Sequence, residues 1–150
     1  MKYLTQVLIL VTAVAVSSSM AMAADTETFI MFKNNTPYKM KVSGIKDKAG
    51  KSIIEINPGT PTEGQKITFP MSEKNEKTPF EITLLDKNGN ELHTWKDLRF
   101  DTNGYAGIKP PFEDKEKRKF EGYIQVLKYL STADDKSEYH NYTIELKPTS

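Results

Sequence analysis

The chain has 150 residues, with 21 Lys and Arg against 20 Asp and Glu, 37% hydrophobic residues and no cysteine. This length fits one ordinary domain, and the missing thiols exclude a disulfide-stapled miniprotein and a cysteine-ligated zinc module. Arg99 and Arg118 are the only arginines, so the bidentate fork suited to phosphate is scarce, and a formal net charge of +1 supplies no basic face for nucleic acid.

Residues 1–23 carry one charge, Lys2, ahead of an apolar run from Leu4 to Val16, then Ser17-Ser18-Ser19 and Ala21-Met22-Ala23. This is the layout of a secretory signal peptide, with small residues at the two positions a signal peptidase inspects. The run is too short for a hydrocarbon core of ~30 Å, and no cysteine follows it to take a lipid anchor at that point. Cleavage near Ala23 is expected to leave a single domain, 24–150, free in the periplasm or secreted fraction. Without disulfides that domain depends on its core, which a chain of this size can build.

Thr28–Asn34 is apolar on both parities, the pattern of a central strand covered on both faces. Asn34-Asn35-Thr36-Pro37 supplies turn chemistry, and Tyr38–Ile45 then alternates with Tyr38, Met40 and Val42 on one face. The two segments are expected to form a hairpin. Ser52–Ile56 reads as a strand stopped by Asn57-Pro58-Gly59. Gln65–Phe69 reads as another, with Ile67 and Phe69 inward and Pro70 marking an end or an edge. Met71–Lys77 reads as a polar loop.

Two apolar runs then flank Asp86-Lys87-Asn88-Gly89-Asn90, and Asn-Gly favours a type I′ hairpin turn. A two-residue loop at Asn88-Gly89 pairs Leu85 with Leu92, Thr83 with Thr94 and Glu81 with Lys96. It sends Phe80, Ile82, Leu84, His93 and Trp95 to the core face. Tyr105–Lys109 is a short strand ahead of Pro110-Pro111. Phe120–Leu130 fits a strand through Tyr123, Ile124, Val126 and Tyr129, with a short helix within 113–130 as the alternative because Phe120, Ile124, Leu127 and Leu130 also form a helical stripe. His140–Lys147 alternates cleanly, with His140, Tyr142, Ile144 and Leu146 on one side. The sum is an all-β, antiparallel β-sandwich, Ig-like or a related Greek key, of about eight or nine short strands.

Chemistry is sparse along this chain. Neither His93 nor His140 sits in metal-ligand spacing; His93 is expected to be a partly buried core residue and His140 a surface residue opening its strand. Asp86–Glu91 has the alternating oxygens of a calcium loop but places Gly89 fourth instead of sixth and Asp97 at position twelve. Glu81 and Glu121 are the pair that a glycosidase would need folding to bring together. No G-x-S-x-G is present, and Glu113–Lys119 is a mixed, solvated charge run. Asn34-Asn35-Thr36 and Asn141-Tyr142-Thr143 match the glycosylation sequon.

The expected function is an exported, non-catalytic binding module needing no cofactor or metal, with a protein or surface ligand as partner and no nucleic acid. Its expected anchors are Trp95, Arg99, Phe100, Tyr105 and Phe112 in and around the loop region 96–112, since aromatic residues and arginine dominate binding hot spots. The odd positions Tyr123, Gln125, Leu127 and Tyr129 form a further exposed amphipathic sheet surface. The rival readings are a membrane-active secreted β-sandwich and a hydrolase acting on cell-wall or glycan material.

Overall fold

Alternation along the sequence becomes burial in the fold. Ile30 and Phe32, Met40 and Val42, Phe80, Ile82 and Leu84, Ile124, and Tyr142, Ile144 and Leu146 are each at most 2% exposed and fill one core between two sheets. The computed structural model describes residues 26–52, 55–60, 64–100, 104–130 and 137–149. The leader with its cleavage site near Ala23, Ile53 and Ile54 of the third expected strand, residues 101–103 of the loop region and Asp134-Asp135 lie outside them.

Among the described residues there are nine strands: β1 (Thr26–Asn34), β2 (Lys39–Ser43), β3 (Glu55–Ile56), β4 (Gln65–Pro70), β5 (Phe80–Leu85), β6 (Glu91–Leu98), β7 (Tyr105–Glu113), β8 (Lys119–Leu130) and β9 (Glu138–Pro148). They form an all-β sandwich of a five-stranded sheet, β4-β1-β9-β8-β7, and a four-stranded sheet, β3-β2-β5-β6. All neighbours are antiparallel except β1 and β9, which run parallel with Ile30 opposite Tyr142 and Phe32 opposite Ile144. No α-helix occurs among the described residues. The helical alternative within 113–130 gives way to the turn Asp114–Arg118 and strand β8, and the loop expected at Met71–Lys77 contains a 3-10 segment, Glu73–Lys77.

The first hairpin is not formed. β1 belongs to the larger sheet and β2 to the smaller, so the chain changes sheets between them. The cause is Asn34, whose side chain is fully buried. Its Nδ2 donates to the carbonyls of Tyr38 at 2.8 Å and Asn57 at 2.9 Å. Its Oδ1 accepts from the Thr36 amide at 3.1 Å and the Thr36 hydroxyl at 2.7 Å. A carboxamide that satisfies this corner from inside removes the sequon at Asn34 from the surface.

The hairpin of β5 and β6 is formed, with Thr83 opposite Thr94 and their hydroxyls 2.8 Å apart. Its turn differs from type I′. Gly89 has φ +83 while Asn88 does not have positive φ, and Gly89 N–H bonds Asp86 C=O at 3.0 Å. This is the three-residue loop that closes a type I turn with a left-handed glycine. Leu85 therefore faces Glu91 instead of Leu92, and a second irregularity, with Asp97 at φ +56, replaces the Glu81–Lys96 pair. The core face survives both shifts, since Phe80, Ile82, Leu84 and Trp95 stay buried.

β7 runs on through Pro110-Pro111 to Glu113, which this edge strand tolerates because its ladder to β8 is interrupted between Ile108 and Phe112. Trp95 Nε1–H donates to Pro110 C=O at 2.7 Å, and the His93 ring stacks on Phe112 at 5.3 Å. These contacts close the side of the sandwich between β6 and β7. β4 is the opposite edge, as Pro70 implied.

Replacing Asn34 by Asp keeps the shape but removes the buried donor that serves the Tyr38 and Asn57 carbonyls. Asn34→Asp and Asn34→Ala are each expected to cost roughly 2 to 4 kcal/mol of unfolding free energy in a urea titration. A loss below about 1 kcal/mol would show that the corner does not depend on this side chain.

Candidate functional site

The structure divides the five anchors expected in and around region 96–112. Trp95 and Phe100 are 3% and 2% exposed and belong to the core, where Phe100 stacks on Phe80 with ring centroids 4.7 Å apart and meets Tyr142 at 4.6 Å. Phe112 is half-buried against His93. Arg99 is exposed, with Asp97 3.4 Å away. Tyr105 stands 63% exposed on the outer face of the five-stranded sheet, well apart in role from the other four. The physical reason is parity: Trp95 points inward with Ile82 opposite it, and Phe100 follows the strand back over the core.

The outer face on which Tyr105 stands is built by register. One row across the sheet reads Thr68, Met31, Thr143, Gln125 and Tyr105, and the next reads Pro70, Phe29, Asn141 and Leu127. None of these is charged. Lys66, Lys33 and Glu145 occupy the row on one side, and Glu27 lies beyond the other. Leu127 and Tyr129 are 59% and 45% exposed. Tyr105 stacks on Tyr123 and Tyr129 on Tyr139, both with centroids 5.3 Å apart, and Asn141 Nδ2 donates to the Tyr129 hydroxyl at 3.3 Å. Between the two tyrosine pairs runs a shallow groove of about 380 Å³, lined by Phe29, Met31, Gln125, Leu127, Asn141 and Thr143 among others. The odd positions of β8 therefore form the exposed surface their alternation implied. Phe29 and Met31 are the unforeseen members: the apolar run of β1 suggested cover on both faces, whereas their side of the sheet lines an open groove.

A second cleft, of about 620 Å³, lies at the end of the sandwich where the turns Asp86–Asn90 and Asp114–Arg118 meet over Leu92 and Phe112. Its polar groups are spent on one another. Asp114 accepts from the amides of Glu116 and Arg118 at 2.9 Å, and from Arg118 Nε and the Tyr38 hydroxyl at 2.8 Å. Burial opposes ionisation of Asp114, but the Arg118 amide and these side-chain donors prevail and hold its carboxyl below the usual range. Asp86 likewise closes its own turn, accepting from the amides of Asn88 and Asn90 at 2.8 Å, which lowers its pKa and uses the oxygens a calcium loop would need. Glu81 and Glu121 lie on the outer sides of different sheets, each between inward neighbours, and cannot flank one glycosidic bond.

His140 is not at the surface. β9 begins two residues earlier than the alternation suggested, so His140 is 8% exposed, with Nδ1 2.7 Å from Glu76 Oε1 and Nε2 2.8 Å from Glu138 Oε1. The Nε2 contact is an ion-pair approach off the ideal hydrogen-bond angle. Glu76 also accepts from Thr28 Oγ1 at 3.1 Å and from the Tyr142 phenol, whose pKa is raised by burial and by the Glu76 charge. The two carboxylates flank opposite nitrogens and cannot converge on one ion. Among the described residues no group of three or more His, Asp or Glu is arranged to hold a metal.

No protein-family model matches this chain, and no curated protein and no solved structure is significantly similar to it.

Burial alone would lower the His140 pKa from 6.5, but the Glu76 hydrogen bond and the charges of Glu76 and Glu138 prevail and raise it. A proton held more tightly in the folded state stabilises the fold fully below pH 6.5, and that contribution is lost as pH rises through the folded value. Burial lowers His93 instead, so this residue destabilises the fold as pH falls below 6.5. The urea midpoint is expected to decline as pH rises above 6.5, and His140→Gln removes that decline. Parallel pH profiles for the two proteins would refute the assignment.

Proposed function

We propose that this chain is an exported, non-catalytic binding module that meets its partner through the outer face of the five-stranded sheet. The leader pattern of residues 1–23 supports export to the periplasm or medium. One observation carries the contact surface. Tyr105, Leu127 and Tyr129 remain 63%, 59% and 45% exposed on a sheet face with two successive uncharged rows. A solvated outer face ordinarily turns polar residues to water. A contiguous apolar patch rimmed by charge marks an interaction site, and tyrosines are its usual anchors. The end cleft offers a larger volume, but its Asp114, Arg118 and Tyr38 are already engaged with each other.

A second reading, lipid contact, draws on Leu127 and Leu130, 59% and 57% exposed toward the same end of β8. Failure of the wild-type chain to co-float with phosphatidylcholine or phosphatidylglycerol vesicles removes it.

Partner capture from the envelope or secreted fraction tests the main reading. The double variant Leu127→Lys with Tyr129→Ala is expected to lose the captured partner, whereas Lys115→Ala at the end cleft keeps it. Lys115→Ala leaves the unfolding free energy within about 0.5 kcal/mol, and the double variant, which gives up the stack on Tyr139, lowers it by no more than about 1 kcal/mol. A folded face variant that retains every partner overturns the proposal.

A further inference from the structure

We infer that the ligand of this face is a neutral oligosaccharide chain lying across the strands, along the uncharged band from β4 to β7. The inference rests on the binding-face reading above and specifies its ligand by chemistry.

Charge decides the first step. The band from Thr68 to Tyr105 and from Phe29 to Leu127 carries no ionised side chain, while Lys33, Lys66 and Glu145 are held to one flank and Glu27 to the other. An anionic polymer would need cations within the band to replace its counterions. The band offers none, so the complementary ligand is uncharged.

The polar groups decide the second step. Gln125, Asn141, Thr143 and Thr68 alternate with Leu127, Phe29 and Met31 around the groove. Carboxamides and hydroxyls both donate and accept, as sugar hydroxyls do, and the apolar side chains between them match the C–H face of a pyranose ring. An extended peptide is a poor fit here. Its recognition by a sheet uses a free edge, and the backbones of β1, β9 and β8 are already paired on both sides along this band.

Length decides the third. The band crosses five strands, β4-β1-β9-β8-β7, about 4.8 Å apart, so it is about 19 Å long and has room for roughly four pyranose rings. Tyr105, stacked on Tyr123, closes the β7 end of the band, and Tyr129, stacked on Tyr139, walls it beyond Leu127. A furrow of about 380 Å³ suits a chain one sugar wide.

The test is a printed array of neutral oligosaccharides of increasing length, with uronate and sulfated oligosaccharides and phosphatidylglycerol vesicles as separate arms. The intact processed chain is expected to bind a neutral series, with affinity rising to about four or five units and then levelling. Binding is expected to be insensitive to salt between about 0.05 and 0.5 M. Tyr105→Ala, Tyr129→Ala and Gln125→Ala each weaken it at least about fivefold, with the fold retained. Binding confined to the anionic or vesicle arms, no retention of any neutral oligosaccharide, or neutral binding unaffected by these substitutions overturns the inference. If the Leu127→Lys, Tyr129→Ala variant still loses its captured partner in that event, the sugar assignment fails and the binding face stands. If that capture is also unaffected, both fall.

Discussion

One buried carboxamide fixes how the two sheets are joined. Asn34 bonds the backbone of the turn that follows it and of the segment after β3, and Thr36 completes the corner by accepting from the Gly59 amide at 3.0 Å and donating to Tyr38 C=O at 3.2 Å. A Cβ at Gly59 would stand 2.2 Å from the Asn34 carbonyl oxygen, so the corner closes only around glycine. Burying a polar group without partners is costly, and here every polar atom of the side chain has one. Because Asn34 must face inward, so must Phe32, Ile30 and Thr28, and Met31 and Phe29 must face outward. The same contact that sends β2 into the smaller sheet thereby sets which residues of β1 line the outer groove.

Two further polar clusters serve a chain that has no cysteine to staple it. Glu76 gathers Thr28, His140 and Tyr142, tying the 3-10 segment Glu73–Lys77 to β1 and β9. Asn75 adds a side-chain bond to the Lys46 carbonyl. Asp114 gathers Arg118 and Tyr38, locking the β7–β8 turn onto the start of β2. Directional bonds specify register more sharply than apolar contact does, since a slip of one residue leaves them unpaired. Each cluster joins parts of the chain distant in sequence, which is the role a disulfide would otherwise fill.

The proposed binding face follows from the length and order of the strands. β8 and β9 share eleven paired positions from Phe120 to Leu130, and β1 adds a parallel row beside them. Such a platform displays every second residue on one surface, so aromatic residues at alternate positions accumulate into a patch without any loop being involved. Edge protection keeps this surface distinct from strand addition: β7 carries Pro110 and Pro111, and β4 ends in Pro70.

Periodicity alone determined much of this protein. Alternation in Tyr38–Val42, Phe80–Leu84 and Tyr142–Leu146 assigned their inward residues correctly, because side-chain direction in a strand depends only on parity. Parity also marked Tyr123, Gln125, Leu127 and Tyr129 as a surface. What it could not carry is pairing. Whether Asn34–Pro37 turns within a sheet or between sheets depends on carbonyls at Tyr38 and Asn57, the latter 23 positions away. Whether Trp95 and Phe100 are anchors or core depends on Pro110 of β7 meeting Trp95 and on Phe80 and Tyr142 enclosing Phe100. His140 shows the same division: its parity already pointed inward with Tyr142 and Ile144, but Glu76, 64 residues earlier in the chain, is what makes burial of its imidazole tolerable. Local chemistry sets which way each residue points; contacts between remote segments decide what it meets there, and those exist only once the chain has folded.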